Sequence, residues 1–431
     1  MICNNLKIGE NGNLYFANKD TVELSNKYGT PLYLADEDKI REKCRIYSTA
    51  SKQYLPEGSF ALYAGKALCI KYLYKIMNEE GMGIDVVSSG EIYTAFVAGF
   101  PMERAFFHGN NKTAEDVEFA IEKGVGYFIC DNVEELKLID ATAKKHGIKQ
   151  NVILRLSPGI DPHTHAKIST GQVDSKFGVA IETGDAAEFT KLALSFENVS
   201  LCGFHCHVGS QIFDTAPFTD AAKIMLQFIS WAKTELNYTT KFLNIGGGMG
   251  VRYTENDPEI DYAANIKMIG DVVKSECDRL GIKTPAILQE PGRSIVADAG
   301  LTLYTVGSIK EIPQVRNYVS IDGGMTDNPR YALYEAPYTV INAGKASEKA
   351  DYTCTVAGRC CESGDIIQEN VKIAKPVAGD TLAILTTGAY NYSMSSNYNC
   401  IPKPPIVMLS GGKEIVAVRR QTFDDMLSCQ E

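Results

Sequence analysis

The chain contains no uninterrupted apolar stretch approaching the roughly 20 residues that a helix needs to cross a bilayer, so no membrane span is expected. It also lacks a block of basic residues, and its net charge is −10 at pH 7. Both points argue against nucleic acid or an anionic membrane surface as the main partner. Its twelve cysteines follow no framework spacing. The opening residues MICNNLKIGENGN lack the charged, apolar, small-residue order of a signal peptide. A reducing cytoplasm is therefore the expected compartment. Low-complexity segments and close sequence repeats are missing as well. What remains is 45% hydrophobic and 22% charged over 431 residues. Those values suit a globular enzyme acting on a small molecule, with one large barrel or sheet and a second unit.

Eight strand-like runs, rich in β-branched or aromatic residues, recur through the first three hundred positions. They are Phe60 to Ala64, Ile84 to Val87, Ala105 to His108, Tyr127 to Cys130, Val152 to Leu156, Leu201 to His205, Phe242 to Ile245 and Ala286 to Gln289. Helix-like stretches with apolar residues at three- and four-residue spacing lie between them, such as Ala114 to Lys123 and Val133 to His146. Strand then helix, eight times, predicts a (β/α)8 TIM barrel. From about Thr302 the texture changes to short alternating runs, including Leu303 to Ser308, Asn317 to Asp322, Tyr352 to Val356 and Leu382 to Leu385. This tail reads as a mainly β domain. Leu14 to Phe16 and Leu32 to Leu34 also read as strands and are expected to pair with it. The predicted division is a barrel over 37–298 and a β-rich domain made of 1–36 and 299–431.

Barrel enzymes gather their catalytic residues at the C-terminal ends of the strands, and the loops after strands seven and eight often hold phosphate. Lys66, Asp85, Arg155, His207 and Glu290 all fall at or just past strand ends. Lys66 offers an amine able to condense with an aldehyde, and burial among small neighbours in Tyr63-Ala64-Gly65-Lys66-Ala67 is expected to lower its pKa. The seventh run empties into Gly246, Gly247, Gly248, Met249 and Gly250. Backbone N–H groups there can approach a phosphate closely. Glu290, followed by Pro291, Gly292 and Arg293, places a carboxylate able to keep a pyridine nitrogen protonated.

Each part has a plain alternative. A strand-end lysine is usually a solvated surface group, a glycine run often marks only a tight turn, and Glu290 alone suits a helix cap. In FHCHVGSQ, Phe204 to Gln211, two histidines without further ligands fall short of a zinc site. His207 reads better as a flat ring stacked on a flat cofactor, His205 as a core histidine, and Ser210 as a hydrogen-bond donor to the cofactor. Cys360 and Cys361 read as packing residues, although a thiol beside carboxylates can deliver a proton. Arg330 and Tyr334 suit one helical turn or a carboxylate clamp. No metal is expected.

Taken together, TPLY at Thr30 to Tyr33, YAGKA around Lys66, DSKFG at Asp174 to Gly178, HCHVGSQ at His205 to Gln211 and GGGMG at Gly246 to Gly250 form an ordered set. EPGRS at Glu290 to Ser294, DGGM at Asp322 to Met325, CESGD at Cys361 to Asp365 and GAYNYSMSSNYN at Gly388 to Asn399 complete it. The set resembles the fold-type III pyridoxal phosphate decarboxylases, built like alanine racemase, and most closely those acting on diaminopimelate.

The resemblance implies that Lys66 carries pyridoxal 5'-phosphate, His207 stacks on its ring and Glu290 contacts the ring nitrogen. Gly246, Gly247, Gly248, Ser210 and Tyr390 would surround the phosphate, with Gly292 and Arg293 also against the cofactor. Arg293, Arg330 and Tyr334 would grip the substrate's distal carboxylate, with Tyr390 beside it and Glu362 near the distal amine. Cys361 would come from the partner subunit of a homodimer with shared sites and protonate the product. The implied reaction is decarboxylation of meso-2,6-diaminopimelate at its D-centre to L-lysine. NPRYALYEA departs from the family in having Tyr331 where many relatives have proline, and Cys360 beside Cys361 adds a second thiol, the CESGD register favouring Cys361. A racemase, a sibling decarboxylase of ornithine, arginine, lysine or carboxynorspermidine, and a non-catalytic binding protein are the competing readings.

Overall fold

A computed structural model describes residues 1–160 and 176–431; Asp174 and Ser175 of the DSKFG motif lie outside the described residues. The chain forms two compact units. One holds residues 43–250 and 260–292, and the other holds 1–42, 251–259 and 293–431. Their limits follow packing rather than chain order, so 37–42, 251–259 and 293–298 group with the β-rich unit and not with the barrel range predicted from sequence.

The first unit is a closed parallel barrel. Its strands are β1 (Phe60–Ala64), β2 (Gly83–Val86), β3 (Ala105–Phe107), β4 (Tyr127–Cys130), β5 (Gln150–Ser157), β6 (Val199–His205), β7 (Phe242–Asn244) and β8 (Ala286–Gln289). Each pairs in parallel with the next, and β8 returns to β1. All eight predicted strands are present, with ends shifted by a residue or two. Alternate residues face inward, so Leu62, Phe106, Ile129, Ile153, Cys202, Phe242 and Leu288 fill the interior. Phe106 and Tyr127 stack there with ring centroids 4.4 Å apart. A side chain at Gly203 on β6 would overlap the carbonyl of Phe242 on β7, so glycine sets that close approach.

The helices cover the barrel's outside, with starts set by side-chain caps. Thr113 forms a reciprocal capping box with Asp116 ahead of Ala114–Glu122, and Asn132 caps Val133–His146, which ends at left-handed Gly147.

The second unit is mainly β. Its central strand, Gly300–Ile312, pairs antiparallel with Leu32–Asp36, Arg316–Ile321 and Thr381–Leu385. Leu32–Asp36 also pairs in parallel with Ile406–Ser410, so the N-terminal segment is built into the C-terminal sheet. Leu14–Phe16 pairs elsewhere, in a three-stranded sheet with Leu6–Ile8 and Lys19–Asp20. Leu14, Phe16, Leu32, Leu303, Leu385 and Val407 share one apolar core with Leu24 of the helix Thr21–Tyr28.

Candidate active site

The C-terminal ends of the barrel strands carry a ring of polar groups. Lys66 lies in a single 3-10 turn, Gly65–Ala67, directly after β1. Gly65 and Ala67 are buried as their small side chains suggest, while Lys66 itself is exposed, not buried as expected. Its charge acts on Asp85 of β2 and on Glu91. Burial raises the Asp85 carboxyl, against His108. Glu91 is pushed up to about 7, chiefly by burial, while its Oε2 accepts the Val87 N–H at 2.9 Å.

Glu290, one residue past β8, is the most tightly held of these groups. Asn244 Nδ2 donates to its Oε1 at 2.7 Å, and His205 Nε2 lies 3.3 Å from its Oε2. His108 Nε2 stands 2.8 Å from Oε1. Burial opposes the charge, yet the two histidines outweigh it and keep the carboxyl well below its ordinary range. Burial pushes His205 down to about 4. At neutral pH it is therefore an uncharged ring donating to an ionised carboxylate. His205 is thus more than a core residue. The His108, His205 and Glu290 ligand atoms lie within 4.8 Å of one another, close enough for a cation, although their mutual contacts already account for the arrangement.

The glycine loop leans on the same carboxylate. Gly246 N–H donates to Asn244 Oδ1 at 2.9 Å, and Gly247 N–H to His207 Nδ1 at 3.3 Å. Gly246 carbonyl accepts the Glu290 N–H at 2.9 Å. A Cβ on Gly246 would stand 2.7 Å from His207 Nδ1, and one on Gly247 or Gly248 would overlap the carbonyl of Glu290 or Gly209. Gly292 is packed against Ala64 in the same way, at 2.9 Å. His207 is half-buried, and burial, then the charges of Lys66 and Arg155, hold its imidazole well below 6.5. Ser210 is half-buried in the bend after it. An aldehyde-reactive amine, a neutral flat imidazole, an ionised carboxylate and a side-chain-free cradle fit pyridoxal phosphate. Lys66, His207, Glu290 and Gly246 to Gly248 are the residues that would hold it.

The β-rich unit contains a second constellation. Arg293 Nη1 donates to the Tyr253 phenol oxygen at 2.5 Å, and Arg330 Nη1 donates to the same oxygen at 2.7 Å. The Tyr390 ring lies 4.8 Å from the Arg293 guanidinium carbon and 6.0 Å from that of Arg330. Tyr390 itself has φ of +60°, a conformation costly for a bulky residue and often stored at functional sites. Arg330 and Tyr334 bound the short helix Arg330–Tyr334. Arg330 is buried and Tyr334 half-buried, and among the described residues Tyr334 makes no hydrogen bond to the Tyr253 cluster. Of the vicinal thiols, Cys360 is buried, and burial followed by Asp365 pushes it up to about 11. Cys361 is exposed, its N–H anchored on Asn399 Oδ1 at 2.7 Å, and Glu362 beside it is exposed too.

Reading the sequence missed His108, Asn244 and Tyr253. The first two stand at the ends of β3 and β7, where the barrel rule should have drawn attention to them. Tyr253 stands three residues past the glycine loop with no motif to mark it.

Residues 37–297 match the family model described as the pyridoxal-binding domain of pyridoxal-dependent decarboxylases. The diaminopimelate decarboxylase of Bacillus methanolicus is 45% identical, with 96% of each chain covered, and that of Bacillus subtilis is 43% identical over 97% of this chain and 95% of its own. The structure of diaminopimelate decarboxylase from M. jannaschii in co-complex with L-lysine superposes with a TM-score of 0.91 at 34% identity, covering 100% of this chain and 98% of that one. Together with the carboxylate, imidazole and glycine cradle at the barrel strand ends, this likeness over both units shows that the chain belongs to the pyridoxal-dependent decarboxylases, in the group of the diaminopimelate decarboxylases.

Proposed function

We propose that this enzyme removes carbon dioxide from the D-centre of meso-2,6-diaminopimelate to give L-lysine, the last step of lysine biosynthesis. The observation that carries this choice of substrate is the pair Arg293 and Arg330 converging on one buried oxygen. Two guanidiniums suit a second carboxylate and repel the distal ammonium that ornithine or lysine would bring. Relatives named diaminopimelate decarboxylase along the whole chain support the same reading.

Pyridoxal phosphate, when bound, supplies the electron sink for the bonding pair of the departing carboxylate. Lys66 would hold it through its amine. Glu290, ionised and gripped by Asn244, would accept from its ring nitrogen and keep that proton in place, and neutral His207 would pack against it. Gly246 to Gly248, Ser210, Gly292, Arg293 and Tyr390 would hold its phosphate. Arg293, Arg330 and Tyr334 take the substrate's distal carboxylate, and Glu362 its distal amine. Cys361 delivers the proton to the carbon that the carboxylate has left, and its exposure suits a thiol offered to a partner subunit. The assembly is a homodimer with two equivalent shared sites.

Among the described residues no helix is long and apolar enough to cross a membrane. The cysteines all stand as free thiols, as the cytoplasm would keep them.

The test is carbon dioxide release from meso-diaminopimelate with added pyridoxal phosphate and chiral analysis of the product. L-Lysine is the expected product. A protein that binds the cofactor and releases nothing would move the assignment to a sibling decarboxylase or a racemase.

A further inference from the structure

Tyr253 is held on every side within the β-rich unit. Its N–H donates to Asp257 Oδ2 at 2.9 Å, and its carbonyl accepts from Thr339 Oγ1 at 2.8 Å. Its ring packs edge-on against Tyr338, centroids 5.5 Å apart and planes at 86°. Only 4% of it is exposed. The Arg330 guanidinium lies 5.1 Å from the ring centroid and that of Arg293 5.8 Å. The phenol oxygen is therefore a fixed point to which both cations are drawn.

Two like charges brought to one oxygen repel each other, more strongly where water is excluded. Nothing about filling space requires a hydroxyl there; phenylalanine would pack the same ring. The groups that act most strongly on Arg330 are the phenols of Tyr253, Tyr338 and Tyr390. Burial pushes the Tyr253 phenol up, but the two arginines outweigh it and bring it below the ordinary tyrosine value. The oxygen thus accepts from both guanidiniums, at 2.5 and 2.7 Å.

We propose that Tyr253 is a positioning residue whose phenol oxygen clamps Arg293 and Arg330 into one rigid receptor for the substrate's distal carboxylate. This rests on the reading of that pair as the distal-carboxylate site. Each guanidinium spends one of its five N–H donors on the phenol, and the shared anchor fixes the direction of the others. A clamp of this kind favours a carboxylate twice over: the donors are already aimed, and the positive pair cannot drift apart to admit an ammonium.

The experiment is calorimetric titration of the holoenzyme with pimelate, the seven-carbon dicarboxylate without amines, and with cadaverine, for wild type and Tyr253→Phe. Wild type is expected to bind pimelate well above cadaverine. Tyr253→Phe should weaken pimelate by at least about tenfold, the loss of a charge-assisted hydrogen bond. It should also raise KM for meso-diaminopimelate far more than it lowers kcat, with the cofactor's absorbance unchanged. Equal pimelate affinity in the two proteins overturns the role of Tyr253 and leaves the arginine site standing. No pimelate binding by wild type overturns the arginine site, and the clamp with it. If the phenylalanine variant does not fold, Tyr253→Met fills the space with a flexible apolar side chain and removes the phenol oxygen. It should bind pimelate more weakly than wild type, and undiminished affinity would refute the clamp.

Discussion

Asn244 bridges the glycine loop and the Glu290 carboxylate: its Nδ2 donates to Glu290 Oε1 at 2.7 Å while its Oδ1 accepts the Gly246 N–H at 2.9 Å. Both side chains are buried, so neither bond is replaced by water when one partner is removed. Asn244→Leu should therefore loosen both ends of the cofactor site at once. Hydrogen bonds to charged groups contribute about 1.5–3 kcal/mol, so cofactor affinity should fall by roughly tenfold to a hundredfold. Fluorescence titration with pyridoxal phosphate measures this, and unchanged affinity would show that Glu290 and the loop hold their places without Asn244.

Cys360 and Cys361 are neighbours in sequence and unlike in setting. The first is buried with its thiol pushed up to about 11, and the second is exposed. Cys361→Ala should cost about 10²–10⁴ in kcat, the usual scale of a lost general acid, while Cys360→Ala should cost little. Equal losses would mean that the thiols act interchangeably or that neither donates.

The proposed sharing of sites across a dimer has its own consequence. Random mixing of inactive Lys66→Ala and Cys361→Ala subunits makes half the dimers mixed, each with one intact site of two, so about a quarter of wild-type activity should return. No recovery after verified subunit exchange would place the thiol and the lysine of each site in one subunit.

The barrel can be read from sequence because each strand is a short apolar run ending at a polar residue, and that pattern survives without tertiary information. Lys66, Glu290 and the glycine run can be read for the same reason, since their chemistry is carried by residue type. Tyr253 and Arg330 are 77 positions apart, and nothing about an isolated tyrosine says that two arginines will fold onto it. The strand Gly300–Ile312 reads as the shorter Leu303 to Ser308 because its far half, with Lys310 and Glu311, is exposed and has the composition of a loop. The small neighbours of Lys66 suggest a buried lysine, yet Gly65 and Ala67 are buried while Lys66 is exposed.

Lys112 and Glu135 form an ion pair at 2.7 Å with both side chains only 2% exposed. Lys112 Nζ also donates to the Ile129 and Gly109 carbonyls, and Glu135 Oε2 accepts the Asp131 N–H just ahead of its own helix. Lys112→Met leaves a buried carboxylate and two carbonyls without their cation. A loss of about 3–5 kcal/mol in unfolding free energy is expected. Urea denaturation checks it, and a loss below about 1 kcal/mol would mean that the site admits water or that Glu135 takes up a proton at little cost.

His205 gives the fold a defined acid sensitivity. Burial, against the pull of Glu290, lowers its pKa from 6.5 to about 4 in the folded protein. Above about pH 6.5 the ring is neutral in both folded and unfolded chains, and its contribution is complete. As pH falls from there towards 4, the unfolded chain takes up a proton that the folded chain refuses. The unfolded state then binds more protons, so stability drops with falling pH by about 1.4 kcal/mol per unit, or roughly 3 kcal/mol across the window. His205→Gln removes this titration while leaving an amide able to donate to Glu290. Between about pH 7 and pH 4.5, urea unfolding should show the variant losing roughly 2–3 kcal/mol less than wild type. Parallel losses in the two proteins would mean that His205 is protonated in the folded state, with a positive ring beside Glu290 in place of a neutral donor.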